Sequence, residues 1–209
     1  MKKKEIQVKS KERVADFGEV YTQEKEVNAM LDLVKSECNK IESTFLEPAC
    51  GNGNFLIKIL ERKMKVVKRK YKAIQSEYEK FLFIAVSSIY GIDIQEDNIQ
   101  ESIERLYKYI EKEYKKLFKI SFDEDFLKSI KYVLENNLVI GDGLSCLKND
   151  GQPILFAEWA FIGNDVKRKD YAMADMVAYS DIENKKCQIL KSRKEYQKIN
   201  FKEVYKLGK

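Results

Sequence analysis

The chain has 209 residues, of which 44% are hydrophobic and 35% are charged, with a formal net charge of +5, a balance typical of one globular domain. No apolar run approaches the roughly 20 residues of a membrane-spanning helix, and charged residues follow the basic start Met1–Lys4, so we expect a cytoplasmic protein without membrane contact. The absence of histidine excludes Ser-His-Asp and Cys-His catalysis, and the four cysteines form no Cys-x-x-Cys pair, so we expect no metal.

Helical and strand patterns alternate along the chain. This alternation predicts an α/β fold with a mostly parallel, doubly wound sheet, right-handed crossovers and a long helical insertion between the first two strands. Thr22 is a candidate cap for the first helix, whose apolar stripe includes Met30 and Val34. The predicted elements are helix 24–36, strand 43–48, a glycine turn at 49–54, helix 55–87 with one break, strand 84–94, helices 96–118 and 124–135, and strands 137–142 and 153–162.

The chain divides into three segments. Residues 1–40 form an N-terminal helical segment, residues 41–165 contain the strand candidates of the core, and residues 166–209 are a basic C-terminal tail with little strand character. With so few strand candidates, we expect the sheet to be incomplete.

Three predicted strands deliver acidic residues to one edge of the sheet. In an open parallel sheet, ligands bind beyond the carboxyl ends of the strands near the topological switch point, and Glu47, Asp93 and Asp142 fall there. Gly51 and Gly53 follow the first acid and allow the backbone to approach a ligand closely. Asp93 is placed to accept both hydroxyls of a ribose, and Asp142 to accept an amine of adenine.

Two nucleoside cofactors compete for such a pocket. A nicotinamide dinucleotide is disfavoured because Leu56 replaces the third glycine of Gly-x-Gly-x-x-Gly and because three acids would repel a pyrophosphate. S-adenosylmethionine carries no phosphate but has a sulfonium and an ammonium. An acidic pocket therefore favours S-adenosylmethionine.

Four segments resemble the DNA adenine-N6 methyltransferases in the order of that family. The segment Phe45–Leu56, Phe-Leu-Glu-Pro-Ala-Cys-Gly-Asn-Gly-Asn-Phe-Leu, resembles motif I, and Phe17–Thr22 resembles motif X. Tyr90–Ile94 resembles motif II, and Gly141–Leu144 resembles motif III. The resemblance is greatest to the modification subunits and fused methylases of restriction systems. It implies a class I, Rossmann-like methyltransferase fold and S-adenosylmethionine as the cofactor.

The resemblance also implies roles for residues around the amino-acid part of the cofactor. Thr22 would contact the methionine carboxylate, and Glu47 would face the methionine ammonium. Gly51 and Gly53 would line the cofactor, and Phe55 would pack beside the site. Glutamate at position 47 replaces the usual aspartate of the family.

Three further residues would bind the nucleoside. By the same resemblance, Asp93 would hold the ribose hydroxyls, Ile94 would lie against the adenine, and Asp142 would bind the adenine amine. Asp142 also fits a purely structural role as a turn residue or a helix cap.

The catalytic motif IV of the family, Asn/Asp-Pro-Pro-aromatic, is missing. The chain contains only two prolines, Pro48 and Pro153, so it has no Pro-Pro pair. Asn164, in Ile162–Asp165, is the nearest candidate for the catalytic polar residue, although a loop asparagine is the simpler interpretation. We therefore expect little or no methyl transfer by the chain alone.

Basic residues concentrate in two places, residues 58–72 and residues 185–209. Such runs favour salt-dependent, nonspecific DNA binding, or else they are a solvated helix face and a frayed terminus. Three functions stay open: a DNA methyltransferase or part of one, completed by a specificity or endonuclease subunit; an inactive cofactor- or DNA-binding module; or a methyltransferase acting on RNA or protein.

Overall fold

The computed structural model describes residues 8–180 and 190–208. The expected basic start at residues 1–4, Cys187 and part of the expected tail lie outside the described residues. Within the described part, every helix is too short or too polar to cross a bilayer.

Helices and strands alternate over the first two thirds of the chain, and strands dominate the rest. The elements are α1 (Lys11–Phe17), α2 (Glu24–Leu33), α3 (Lys35–Cys38), β1 (Phe45–Glu47), α4 (Asn54–Tyr71), α5 (Gln75–Ser87), β2 (Ile89–Asp93), α6 (Glu96–Phe118), α7 (Glu124–Asn137), β3 (Leu138–Ile140), β4 (Leu155–Ile162), β5 (Asp165–Ala172), α8 (Met173–Ser180), β6 (Lys194–Glu195), β7 (Ile199–Asn200) and a 3-10 helix (Phe201–Lys206).

A parallel sheet of three strands, in the order β1-β2-β3, forms the centre of the fold. Its register pairs Glu47 with Gly91 and Asp93 with Ile140, so the carboxyl ends of the strands meet at one edge. Helices α4 and α5 connect β1 to β2, which confirms the expected helical insertion, and α6 and α7 connect β2 to β3. The expectation of a mixed α/β fold is confirmed, with a parallel sheet of only three strands.

The fourth predicted strand does not join the parallel sheet. β4 pairs with β5 in an antiparallel hairpin, to which β6 and β7 add. Ile92 of β2 packs with Phe156 of β4, whereas Ile89 packs in the main core with the helices. Helices thus cover one face of the parallel sheet and the hairpin covers the other. The prediction of a doubly wound sheet is wrong, and the order β1-β2-β3 contains no reversal that would make a switch point.

The described part of residues 166–209 belongs to the folded core. The expected boundary after residue 165 falls within the hairpin, directly after the first residue of β5. Alternate residues of β5 point inward, and two of them, Arg168 and Asp170, form a buried ion pair at 2.7 Å. Phe201 of the 3-10 helix is also buried in the main core. The prediction of little strand structure after residue 165 is wrong because the inward positions of β5 include charged residues.

Some helix boundaries differ from the sequence-based expectation. The N-terminal cap of α2 is Gln23 rather than Thr22, and no side chain caps this helix end. Met30 and Val34 of the expected apolar stripe are exposed, because the helix turns only part of that stripe inward. Residues 84–87 complete α5 rather than beginning β2.

Lys63 of α4 is fully buried although it belongs to the basic stretch 58–72. Its ammonium donates hydrogen bonds to the carbonyl oxygens of Ile41 at 2.9 Å and Ser43 at 2.5 Å and to the hydroxyl of Ser88 at 2.6 Å. These bonds tie α4 to the segment before β1. Burial lowers the pKa of Lys63 to about 8 from 10.5.

Other basic residues of the stretch form ion pairs. Lys58 pairs with Glu24 at 2.6 Å, and Arg62 pairs with Asp32 at 2.9 Å. Within the described ranges, the basic residues of the stretch that are exposed and lack an ion pair are Lys65, Arg69, Lys70 and Lys72.

We predict that the Lys63 ammonium makes stability rise with pH in the alkaline range. Between pH 8 and 10.5 the unfolded chain holds this proton and the folded chain does not, so the free energy of unfolding rises with pH by up to about 3 kcal/mol. Urea unfolding of the wild type, Lys63→Met and Lys65→Met at a series of pH values measures this dependence. Because buried cysteine and tyrosine groups titrate in the same range, the expected result is a difference: between pH 8 and 10.5 the free energy of unfolding should rise in the wild type and in Lys65→Met relative to Lys63→Met. Equal slopes in all three proteins would contradict the assignment.

Candidate functional site

A cavity of about 360 Å³ opens at the carboxyl edge of the parallel sheet. Its volume is in the range of small-molecule sites. The loop before α2, the turn between β1 and α4, and the segments that follow β2 and β3 form its walls. Most of the residues predicted from sequence line this one cavity: Thr22, Glu47, Gly51, Phe55, Asp93, Ile94 and Asp142.

The charge on the cavity wall is negative. Glu47 is the last residue of β1, Asp93 is the last residue of β2, and Asp142 follows β3 by two residues. Glu19 also lines the cavity, but Arg13 binds its carboxylate at 2.5 Å. Among the described residues, no lysine or arginine lines the cavity. Burial raises the pKa of the half-buried Glu47, although the backbone N–H of Ala49 opposes that shift.

Asp93 holds the parts of the cavity together. Its Oδ2 accepts the backbone N–H of Gly51 at 2.8 Å. Its Oδ1 accepts the backbone N–H of Gln95 at 2.9 Å and the amide of Asn98 at 3.1 Å. An ionised carboxylate has about four acceptor positions, so one position on Oδ2 is left for a ligand.

Asp142 caps the turn that follows β3. Its carboxylate oxygens accept the backbone N–H groups of Leu144 at 2.9 Å and Ser145 at 3.3 Å, and these bonds lower the pKa of Asp142. The structural role considered for this residue is therefore present in the fold. The same residue also lines the cavity, so the two roles do not exclude each other.

The glycine turn has a backbone that other residues rarely adopt. Gly51 and Gly53 have φ of +52° and +84°, in the left-handed region. A Cβ on Gly51 would lie 3.2 Å from the ring of Tyr21, and a Cβ on Gly53 would lie 2.9 Å from the hydroxyl of Ser102. Gly53 does not line the cavity; it is the N-terminal cap of α4 and shapes the turn from behind.

Several polar residues that support the cavity were not predicted from the sequence. The Tyr21 hydroxyl donates to the amide oxygen of Asn98 at 3.0 Å, and both residues line the cavity. Arg105 of α6 donates to the carbonyl oxygen of Asn52 and, at 3.0 Å, to the amide oxygen of Asn54. The sequence contains one signal for the α6 residues: Asn98, Ser102 and Arg105 recur at spacings of four and three, beside the apolar stripe of this helix.

Asn164 lies outside the cavity, in the turn of the β4–β5 hairpin. The start of β4 lies near the end of β3. Ile154, directly before β4, contacts Gly141, directly after β3. Further along β4, the indole N–H of Trp159 donates to Asn137, directly before β3, at 3.0 Å. β4 therefore runs back towards the amino ends of the parallel strands and takes Asn164 away from the three acids.

Comparison of the chain with protein-family models, with curated proteins and with solved structures finds no match.

We predict that Gly53→Ala destabilises the chain more than Gly151→Ala does. Both glycines have a positive φ, +84° and +78°, which costs an L-residue about 1 kcal/mol. Only the Cβ at position 53 also meets a buried neighbour, because position 151 has open space. Denaturant unfolding of the two variants measures the difference; an equal loss would show that the contact with Ser102 relaxes without strain.

Proposed function

We propose that the cavity binds S-adenosylmethionine and that the chain is the cofactor-binding part of a DNA methyltransferase of the adenine-N6 type. The observation that carries this proposal is the unneutralised acidity of the cavity. Glu47, Asp93 and Asp142 converge on a space with no basic lining residue among those described. A ligand with phosphate groups would be repelled there, whereas a cationic nucleoside would be attracted.

The donor and acceptor set fits the two ends of that cofactor. Glu47 has a raised pKa because it is partly buried, and a ligand ammonium beside it would reverse that shift by favouring the carboxylate. At the other end, the free position on Asp93 Oδ2 suits a ribose hydroxyl. The exposed side chain of Ile94 offers an apolar surface for an adenine.

The bound cofactor would supply an electrophilic methyl group, and the residues of this chain would hold and orient it. Glu47 would neutralise the ammonium, and Asp93 would fix the ribose. Asp142 would accept a hydrogen bond from the adenine amine at the carboxylate positions that Leu144 and Ser145 do not use. Thr22 and Asn54, the first residue of α4, both line the cavity and would contact the methionine carboxylate.

The target base requires residues that this cavity lacks. A base-flipping methyltransferase holds the extruded base in a shaped pocket next to the cofactor. In the described structure, Asn164 does not line the cavity, because the hairpin carries it towards the opposite end of the sheet. We propose that a specificity or endonuclease subunit of a restriction–modification system supplies the base-binding part. The inactive binding module is the second candidate, and the position of Asn164 favours it over a complete enzyme.

The basic stretch does not place DNA beside the cofactor. α4 begins at the cavity and is 18 residues long, so its far end lies about 27 Å away. Four exposed basic residues lack an ion pair in the described structure, and they lie along the distal half of this helix and just beyond it: Lys65, Arg69, Lys70 and Lys72. DNA bound there would not present a base to the cavity, so nonspecific binding is a separate property in this proposal.

We predict that the chain binds S-adenosylhomocysteine and not ATP. Asp93→Asn should weaken S-adenosylhomocysteine binding by about 1–3 kcal/mol, because the ligand loses a charged acceptor. Asp150→Asn is the matched control, since Asp150 is an exposed acid outside the cavity. Titration calorimetry on the three proteins, with circular dichroism to confirm folding, measures these affinities.

Two outcomes would contradict the proposal. The first is a folded wild-type chain that gives no heat with S-adenosylhomocysteine at high micromolar concentration. The second is equal affinity for ATP, since a site that accepts triphosphate cannot depend on unneutralised acids.

A further inference from the structure

The polar face of α6 contacts three walls of the cavity: the loop before α2, the glycine turn and the end of β2. Asn98, Ser102 and Arg105 are spaced by four and three residues, which places them on one side of the helix. Asn98 contacts Asp93, Ser102 donates to the carbonyl oxygen of Gly51 at 3.0 Å, and Arg105 donates to the glycine turn. One rigid helix therefore sets the relative positions of loops that are distant in sequence.

Asn98 is the central member of this face. It is only 1% exposed, and both ends of its amide are used. The amide nitrogen donates to Asp93 Oδ1, and the amide oxygen accepts from Tyr21 and, at 2.8 Å, from the ammonium of Lys9. Asn98 thus links the carboxylate of Asp93 to the N-terminal segment that forms another cavity wall.

The contact determines which acceptor position of Asp93 faces a ligand. With Gln95 and Asn98 both on Oδ1, this oxygen is saturated, and the carboxylate cannot rotate without breaking a bond. The free position stays on Oδ2, beside the glycine turn. Without the Asn98 amide, Oδ1 keeps only the bond from Gln95 and gains a free acceptor position, so the position open to a ligand is no longer confined to Oδ2.

We propose that Asn98 is a positioning residue that sets the preference of the cavity for a ribose over a deoxyribose. The inference rests on the proposed function and deepens it, because it names the residue behind the recognition of the ribose. Asn98 acts through Asp93. A purely structural role would weaken all ligands by the same factor, whereas this role changes the ratio between ligands that differ only in their hydroxyls.

The test is the ratio of affinities for S-adenosylhomocysteine and its 2′,3′-dideoxy analogue. In the wild type we expect a ratio of about ten or more, the usual worth of a hydrogen bond to a charged group. In Asn98→Leu the ratio should fall below about two, with little change for the dideoxy analogue. Asn136→Leu is the control, since Asn136 is a half-buried helical asparagine whose amide bonds only to Tyr132 in the described structure.

Tyr21→Phe keeps the proposal testable if Asn98→Leu does not fold. This variant keeps the ring against Gly51 and removes the hydroxyl that donates to Asn98, so the ratio should fall to an intermediate value. A wild-type ratio in every folded variant would overturn the role of Asn98. Failure of the wild type to bind S-adenosylhomocysteine would instead contradict the proposed function itself.

Discussion

The site depends on the hydrogen bonds that the carboxylate of Asp93 accepts. It receives hydrogen bonds from the glycine turn after β1, from the loop after β2 and from α6, so three segments converge on one side chain. Charged acceptors make stronger hydrogen bonds than neutral ones, and a carboxylate is well suited to hold a turn whose glycines have left-handed backbones. One acceptor position on Oδ2 stays free, and we propose that a ligand binds there. The carboxylate that holds the cavity together would then also bind the ligand.

The β4–β5 hairpin determines where Asn164 lies relative to the acidic cavity. It covers the sheet face that the helices do not cover, and it carries Asn164 away from the acids. In the described structure, β1 pairs with β2 alone and is an edge of the parallel sheet. Among the described residues, no residue of β4 or β5 lines the acidic cavity, and this separation is the basis for proposing a cofactor-binding unit.

The acids of the site were predictable from sequence because the carboxyl ends of parallel strands meet at one edge. Glu47 and Asp93 needed only the strand assignments and the parallel order. Tyr21 and Asn98 were not predictable in the same way, since their contact joins residues 77 positions apart. Lys63 was expected among exposed basic residues, but the carbonyl groups before β1 provide partners that hold it in the core. At Tyr21, Asn98 and Lys63, long-range polar contacts that no local hydrophobic pattern encodes determine the structure.

A crystal structure of the chain with S-adenosylhomocysteine would show whether the cavity is a cofactor site. We expect the ligand in the cavity, with a ribose hydroxyl within hydrogen-bond distance of Asp93 Oδ2 and the ammonium beside Glu47. A ligand bound elsewhere, or bound in the cavity with its ribose away from Asp93, would contradict the roles proposed for these two acids.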